Sequence, residues 1–314
     1  MSIETAPRPT PTRTGRRRRS RIRRLSKRDR IVIALMIGVP LLLDLALIWG
    51  PAVSTFFYSF TNAHGAAPSR NVGTQNYHYM RTIDPDFWPA VRHNVIWLIE
   101  FTIIATPLGV LLAVLLDRGI RGSRVYQSIF FLPVMLSLAL IGIIWELMYG
   151  AQYGLINGIL GRTSPNDAIN WLGNPKLNLW AVLVEATWRQ AGYVMVLYLA
   201  GLKAFDPALR EAATLDGANA WQLFWRVTFP TLRPINNVIL VVTVIESLRA
   251  FDLVYVTNGG GNGLQLLSAM ITQDIVGPAN RIGYGSALGV VLLVISLVPI
   301  VFFLVQQFRR TEQR

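Results

Sequence analysis

The sequence has 314 residues, 52% of them hydrophobic and only 15% charged, with no cysteine and a formal net charge of +13. Soluble domains carry about 25% charged residues, and a mean hydropathy of +0.41 excludes a disordered chain. Without cysteine there is no disulfide scaffold and no thiolate zinc or iron–sulfur site.

The chain opens on an Arg-rich head, Arg13 and Arg16 to Arg19 through Arg30. Its place just before an apolar block makes it a topology signal attracted to anionic lipid rather than a nucleic-acid arm. Residues 1–30 are read as a basic cytoplasmic tail, disordered over 1–25. The first apolar block, 31–56, contains Asp44 and lacks a small-x-small cleavage site, so it is a retained span rather than a signal peptide. Five further blocks, 93–116, 126–149, 178–202, 235–256 and 284–308, reach the roughly 20 residues that a helix needs to cross about 30 Å of hydrocarbon. Residues 31–314 are therefore expected to form one all-α membrane domain of six transmembrane helices. The segments on the side of the N-terminus carry 22 Lys and Arg, those on the other side 6. This asymmetry puts both termini in the cytoplasm. Residues 61–92 and 150–177 are external loops.

The longest cytoplasmic loop, 206–234, is the informative one. Asp206-Pro207 supplies an N-cap and a proline at the first helical position. Leu209, Ala212, Ala213 and Leu215 fall on one helical face. Asp216-Gly217 should end that helix in a left-handed turn. A second amphipathic piece carries Trp221, Phe224, Trp225 and Val227, and Pro230 and Pro234 close the loop. Two short helices at a sharp turn make a compact knob, and exposed apolar surface of this kind meets a partner or lies in the membrane interface.

Glu211-Ala212-Ala213, Asp216-Gly217-Ala218, Phe224, Pro230 and Pro234 together resemble the EAA loop of binding-protein-dependent ABC importer permeases. The resemblance implies a type I ABC importer permease fold in the plasma (inner) membrane. It implies a second homologous permease, two ATPase subunits and an extracytoplasmic solute-binding protein as partners. Glu211, Ala212, Ala213, Asp216, Gly217 and Ala218 would form the joint with the ATPase. The chain itself cannot hydrolyse ATP. A phosphate-binding loop needs Gly-Lys-Ser/Thr, and none of Lys27, Lys176 and Lys203 follows a glycine. No cofactor or metal is expected in this chain, since ATP and magnesium belong to the partner ATPase. An enzyme is not expected either: there is no His-Glu-x-x-His metal motif, and His64, His78 and His93 lie in or beside an external loop.

Charged residues inside spans are costly unless they face a cavity or a partner. They are Asp44, Glu100, Glu146, Glu185, Arg189, Glu246, Arg249 and Asp252. Glu185 and Arg189 share a face of span four, and Glu246 and Arg249 share a face of span five. With Trp188, Gln190 and Tyr193 nearby, these groups suit a polyhydroxylated solute; alternatively they pair with one another and lock helices together. Thr257-Asn258-Gly259-Gly260 is similar to the maltose-type branch of the family, although Gly261 and Asn262 depart from it. That resemblance places substrate contacts at Arg189, Gln190, Tyr193, Ile245, Glu246 and Arg249, with only Tyr193 keeping the residue type. It implies import of a sugar or oligosaccharide by ATP-driven alternating access. A glycerol-phosphate or other polyol permease is the nearest alternative, and a proton-coupled secondary transporter using Glu185 or Glu246 is the alternative of another class.

Overall fold

The computed structural model describes residues 26–65 and 67–311; the basic head at 1–25 lies outside them. The chain divides into two units between Ala52 and Val53. The first is helical from Lys27, at the start of the helix Lys27–Tyr58 (α1). Its N-terminus is held by a Ser26–Asp29 capping box, and a π turn interrupts it at Leu45–Trp49. None of the described residues of this unit is buried.

The second unit contains Gln75–Thr82 (α2), Phe87–Asp117 (α3), Ser123–Met135 (α4), Leu138–Tyr149 (α5), Leu155–Ile159 (α6) and Asn178–Ala204 (α7). Next come Pro207–Leu215 (α8), the helical stretch 220–231 (α9), Arg233–Leu248 (α10) and Asp252–Asn258 (α11). Leu267–Ile275 (α12) and Ile282–Thr311 (α13) complete it. Among the described residues there is no strand, only one isolated bridge between Thr61 and Asn71.

α7 is the centre of this unit. Its 27 residues extend about 40 Å at 1.5 Å per residue, enough to cross a bilayer. Leu183, Val194, Met195 and Tyr198 are buried almost completely. Two glycines let neighbouring helices lie directly against it. A Cβ on Gly109 of α3 would stand 2.6 Å from the Ala191 carbonyl oxygen, and one on Gly192 would stand 2.2 Å from that of Phe130 on α4. Small residues at crossings are how membrane helices gain contact area where lipid offers no hydrophobic drive.

Three helices are long and apolar enough to cross a membrane by themselves: Lys27–Tyr58, Phe87–Asp117 and Ile282–Val301. The other three expected spans are more complicated. Span three is bent by 103° between α4 and α5. Leu136 is extended there, Pro133 lies inside α4, and the Ser137 side chain accepts the Leu140 N–H to start α5 afresh. Span four, α7, has the length, but Glu185, Arg189 and Lys203 dilute its hydropathy. Span five is discontinuous: α10 stops at Leu248, and α11 begins at Asp252. Its freed Ala250 carbonyl accepts a hydrogen bond from Ser268 Oγ at 2.7 Å. In hydrocarbon an unsatisfied peptide group costs several kcal/mol, so a helix breaks only where protein satisfies it or a cavity is lined.

The connection 257–283, expected as a loop, contains the buried helix α12, with Leu266, Leu267 and Ala269 wholly covered. Side chains tie this region to its surroundings. Asn94 Oδ1 accepts the Leu267 N–H at 3.1 Å, His93 Nδ1 lies 2.9 Å from the Gln265 carbonyl, and Asn178 Nδ2 donates to the Asn262 carbonyl at 2.7 Å. At its far end Arg281 donates to Asp274 Oδ1 at 2.5 and 2.8 Å and stands over the Tyr284 ring. Burial holds the Asp274 carboxyl above the usual carboxylate range while Arg281 pulls it down. The pair therefore offsets a burial cost more than it adds stability.

Candidate functional site

Two sites follow from this arrangement. The first is a pocket of about 170 Å³ at the break in span five. α7 contributes Ala186 and Arg189, α10 contributes Glu246, the break contributes Arg249 to Phe251, and α11 contributes Asp252 and Leu253. Trp97 and Phe101 of α3 form an aromatic wall, with ring centroids 6.0 Å apart. Arg189 Nη1 meets Glu246 Oε2 at 3.5 Å across the α7–α10 crossing. The two same-helix faces anticipated from the sequence are thus joined between helices rather than along them. Among the described residues the buried Arg189 Nε–H has no hydrogen-bond partner, and the guanidinium, tethered to Glu246, lines the pocket. The lining carries two cationic and two anionic side chains: Arg189 and Arg249 against Glu246 and Asp252.

The other residues singled out for the solute lie elsewhere. Gln190 is buried, with both amide atoms unpartnered among the described residues, because one residue further along a helix turns about 100° away. Tyr193 is half-buried and outside the lining. Ile245 is exposed and lines a separate groove with Arg249, Phe251 and Ile271. Glu185 is fully buried, and neither carboxylate oxygen has a hydrogen-bond partner among the described residues. Trp97, Phe101 and Phe251 were not singled out. An aromatic pair four residues apart beside Glu100 in span two was the available signal for the first two. Phe251 enters the pocket only because the helix breaks.

The second site is the knob at 206–234. Asp206 Oδ1 accepts the Ala208 N–H at 2.9 Å, and α8 runs from Pro207 to Leu215. It ends as the Asp216-Gly217 pair requires. Gly217 has φ +80°, Ala218 N–H donates to the Ala213 carbonyl, and Gly217 N–H donates to that of Thr214. This double closure with a left-handed glycine is the physical reason for glycine there. Asn219 and Gln222 form a reciprocal capping box that starts α9 at once. Trp221, Phe224, Trp225 and Phe229 pack ring against ring at 5.1 to 5.9 Å. Glu211, Ala212, Asp216 and Gly217 are exposed, with Ala213 and Ala218 half-buried beside them. Leu215 is 88% exposed and Trp221 71%. The knob is a hairpin of helices with an apolar, acid-flanked tip that is exposed among the described residues.

Broken helices around a polar pocket, with an exposed helical knob beside them, fit a membrane transport subunit. The family model for the binding-protein-dependent transport system inner membrane component matches residues 105–312, and the chain belongs to that family. It is a permease subunit of a binding-protein-dependent importer rather than an enzyme. It is 34% identical to the osmoprotective compounds uptake permease protein GgtC of Synechocystis, over 84% of this chain and 94% of that protein. It is 31% identical to the xylose/arabinose import permease protein XacH of Haloferax volcanii, over 93% and 92%. It is 33% identical to the diacetylchitobiose uptake system permease protein NgcF of Streptomyces coelicolor, over 95% and 88%. The fold matches a chain from the crystal structure of a bacterial ABC transporter involved in the import of alginate. The TM-score is 0.78 at 21% identity, covering 90% of this chain and 96% of that one.

Proposed function

We propose that this chain is one membrane half of an ABC importer for a neutral sugar or oligosaccharide, working by alternating access. The main chain crosses the membrane six times with both termini cytoplasmic. A second homologous permease completes the pathway. An external binding protein delivers the solute, and two ATPase subunits, which hold ATP and magnesium, grip the knob at Glu211 to Ala218. Arg189, Glu246 and Arg249 meet the solute as it passes, with Gln190, Tyr193 and Ile245 beside the path in the opposite state of the gate. The pocket need bind only weakly, because a solute shifts the gate only by its differential affinity for the two states.

One observation carries the choice of a neutral solute: the charges around the pocket are balanced, and Arg189 is already engaged by Glu246. Carboxylates and guanidinium groups exchange hydrogen bonds with hydroxyls, and Trp97, Phe101 and Phe251 offer faces to sugar C–H groups. A phosphate would need cations in excess, which weighs against the glycerol-phosphate alternative. Sugar-importer permeases among the relatives support the same class. The secondary-transporter alternative falls with membership of a binding-protein-dependent family. The test is uptake of a labelled disaccharide by the reconstituted complex, challenged with a hundredfold excess of unlabelled competitors. Neutral sugars should compete and glycerol 3-phosphate should not; the reverse order would overturn the assignment.

A further inference from the structure

The knob is joined to α7 by Phe205 and Asp206, both in extended backbone conformations (ψ 134° and 117°). Phe205 is buried, Phe224 and Phe229 of the knob pack on the α3–α7 cluster, and α9 runs on into α10. A directional polar connection also crosses the bend. Arg210 of α8 donates from Nη2 to Asp117 Oδ2 at 2.9 Å, and its guanidinium stands 5.9 Å from the centre of the Phe205 ring. Asp117 is the last residue of α3, and its side chain is 16% exposed against 41% for Arg210.

α3 leads directly to the pocket. From Asp117 it runs back eleven residues to Thr106, about 16 Å of helix. Along that length Ala113 and Leu116 share a buried cluster with Val194, Met195, Tyr198, Leu199 and Leu202 of α7. Gly109 rests on the backbone of Ala191, two residues beyond Arg189. Thr106 Oγ1 meets Thr243 Oγ1 at 3.3 Å, three residues before Glu246. One straight helical segment therefore touches the lever at one end and, at the other, both helices that carry the Arg189–Glu246 pair.

We infer that Asp117 and Arg210 are positioning residues that strut the lever to α3, so that a movement of the knob reaches the α7–α10 crossing instead of being absorbed at the Phe205–Asp206 bend. This rests on the coupling role proposed above. A packed helix moves as a body, which is how small shifts at one end become discrete changes at the other. The surface offered to the ATPase, Glu211, Ala212, Leu215 and Asp216, is separate from the strut, so the strut governs transmission and not docking.

The experiment compares the full complex, reconstituted with its sister permease, ATPase and binding protein, in wild-type form and with Arg210→Ala, Asp117→Asn, both together, and Arg210→Lys. Two quantities are read: ATPase recovered with the membrane subunits, and sugar moved per ATP hydrolysed. Each single removal should leave ATPase recovery intact and lower sugar per ATP at least fivefold. The double variant should be no worse than either single one, as for two residues acting through one contact. Arg210→Lys, which keeps the charge, should retain at least half of the wild-type ratio. An unchanged ratio in Arg210→Ala, additive losses in the double variant, or loss of the ATPase from Arg210→Ala would each overturn the strut. Wild-type uptake that ignored ATP would remove the coupling reading itself, and this inference with it.

Discussion

Deletion of residues 211–218 is expected to abolish recovery of the ATPase with the membrane complex, and with it all uphill uptake. The tip of the knob is the part of the described chain that combines exposed apolar and acidic groups with a fixed backbone. Asp206, Gly217 and the Asn219–Gln222 box hold that backbone without help from a partner, so docking need not first order it. A point variant separates loss of the surface from loss of the fold. Leu215 is 88% exposed, and Leu215→Asp places a charge on the tip without touching the core. Burying an isolated carboxylate in an apolar joint is costly enough to weaken association at least a hundredfold, about 2.7 kcal/mol. Membrane insertion should be unchanged, and a pull-down through the permease with immunoblotting for the ATPase checks both variants. A Gly217→Val variant, forced into a left-handed conformation that a β-branched residue resists, should impair the same joint more mildly.

Arg189→Ala should lower sugar uptake by one to two orders of magnitude while leaving ATPase recovery unchanged. The truncation removes the donors that face the pocket and leaves Glu246, whose side chain is 32% exposed, without its partner across the crossing. Leaving one member of this partly exposed pair without its partner costs about 1–3 kcal/mol. Each 1.36 kcal/mol of that cost falling on the transition state is tenfold in rate. Glu246→Gln, which keeps a carbonyl acceptor for Arg189, should be several-fold milder. Initial uptake rates in proteoliposomes at saturating loaded binding protein distinguish this defect from one of docking, and an Arg189→Ala rate within twofold of wild type would refute a role for the pair.

The helical shape of the knob was legible in the sequence because its signals are local: a capping aspartate before proline, a face of apolar residues, a glycine where φ must be positive. The long apolar helices α1, α3 and α13 were legible for the same reason, since hydropathy over a window needs no tertiary knowledge. Spans three and five were not, because their interruptions are supported from elsewhere in the chain. Nothing near Ala250 in sequence announces that Ser268 will accept responsibility for its carbonyl, and nothing near Leu136 fixes a bend of 103°. That break also decides the pocket. It brings Phe251 into the lining and puts Arg249 at the end of α10 rather than in mid-helix. The inter-helix partnership of Arg189 with Glu246 was half visible: both charges stood out in apolar spans, and the choice between solute and ion pair needed the crossing of α7 and α10.

An ATPase that drives this subunit grips the knob from the cytoplasmic side, and the absence of cysteine from this chain allows a direct measurement. A single Leu215→Cys substitution supplies a thiol that is unique within this chain, at an exposed point of the knob. With a short bifunctional cross-linker it should join this chain to the ATPase, and in intact cells it should be shielded from a membrane-impermeant thiol reagent. Labelling from outside the cell, or a cross-link to the external binding protein in place of the ATPase, would contradict the account.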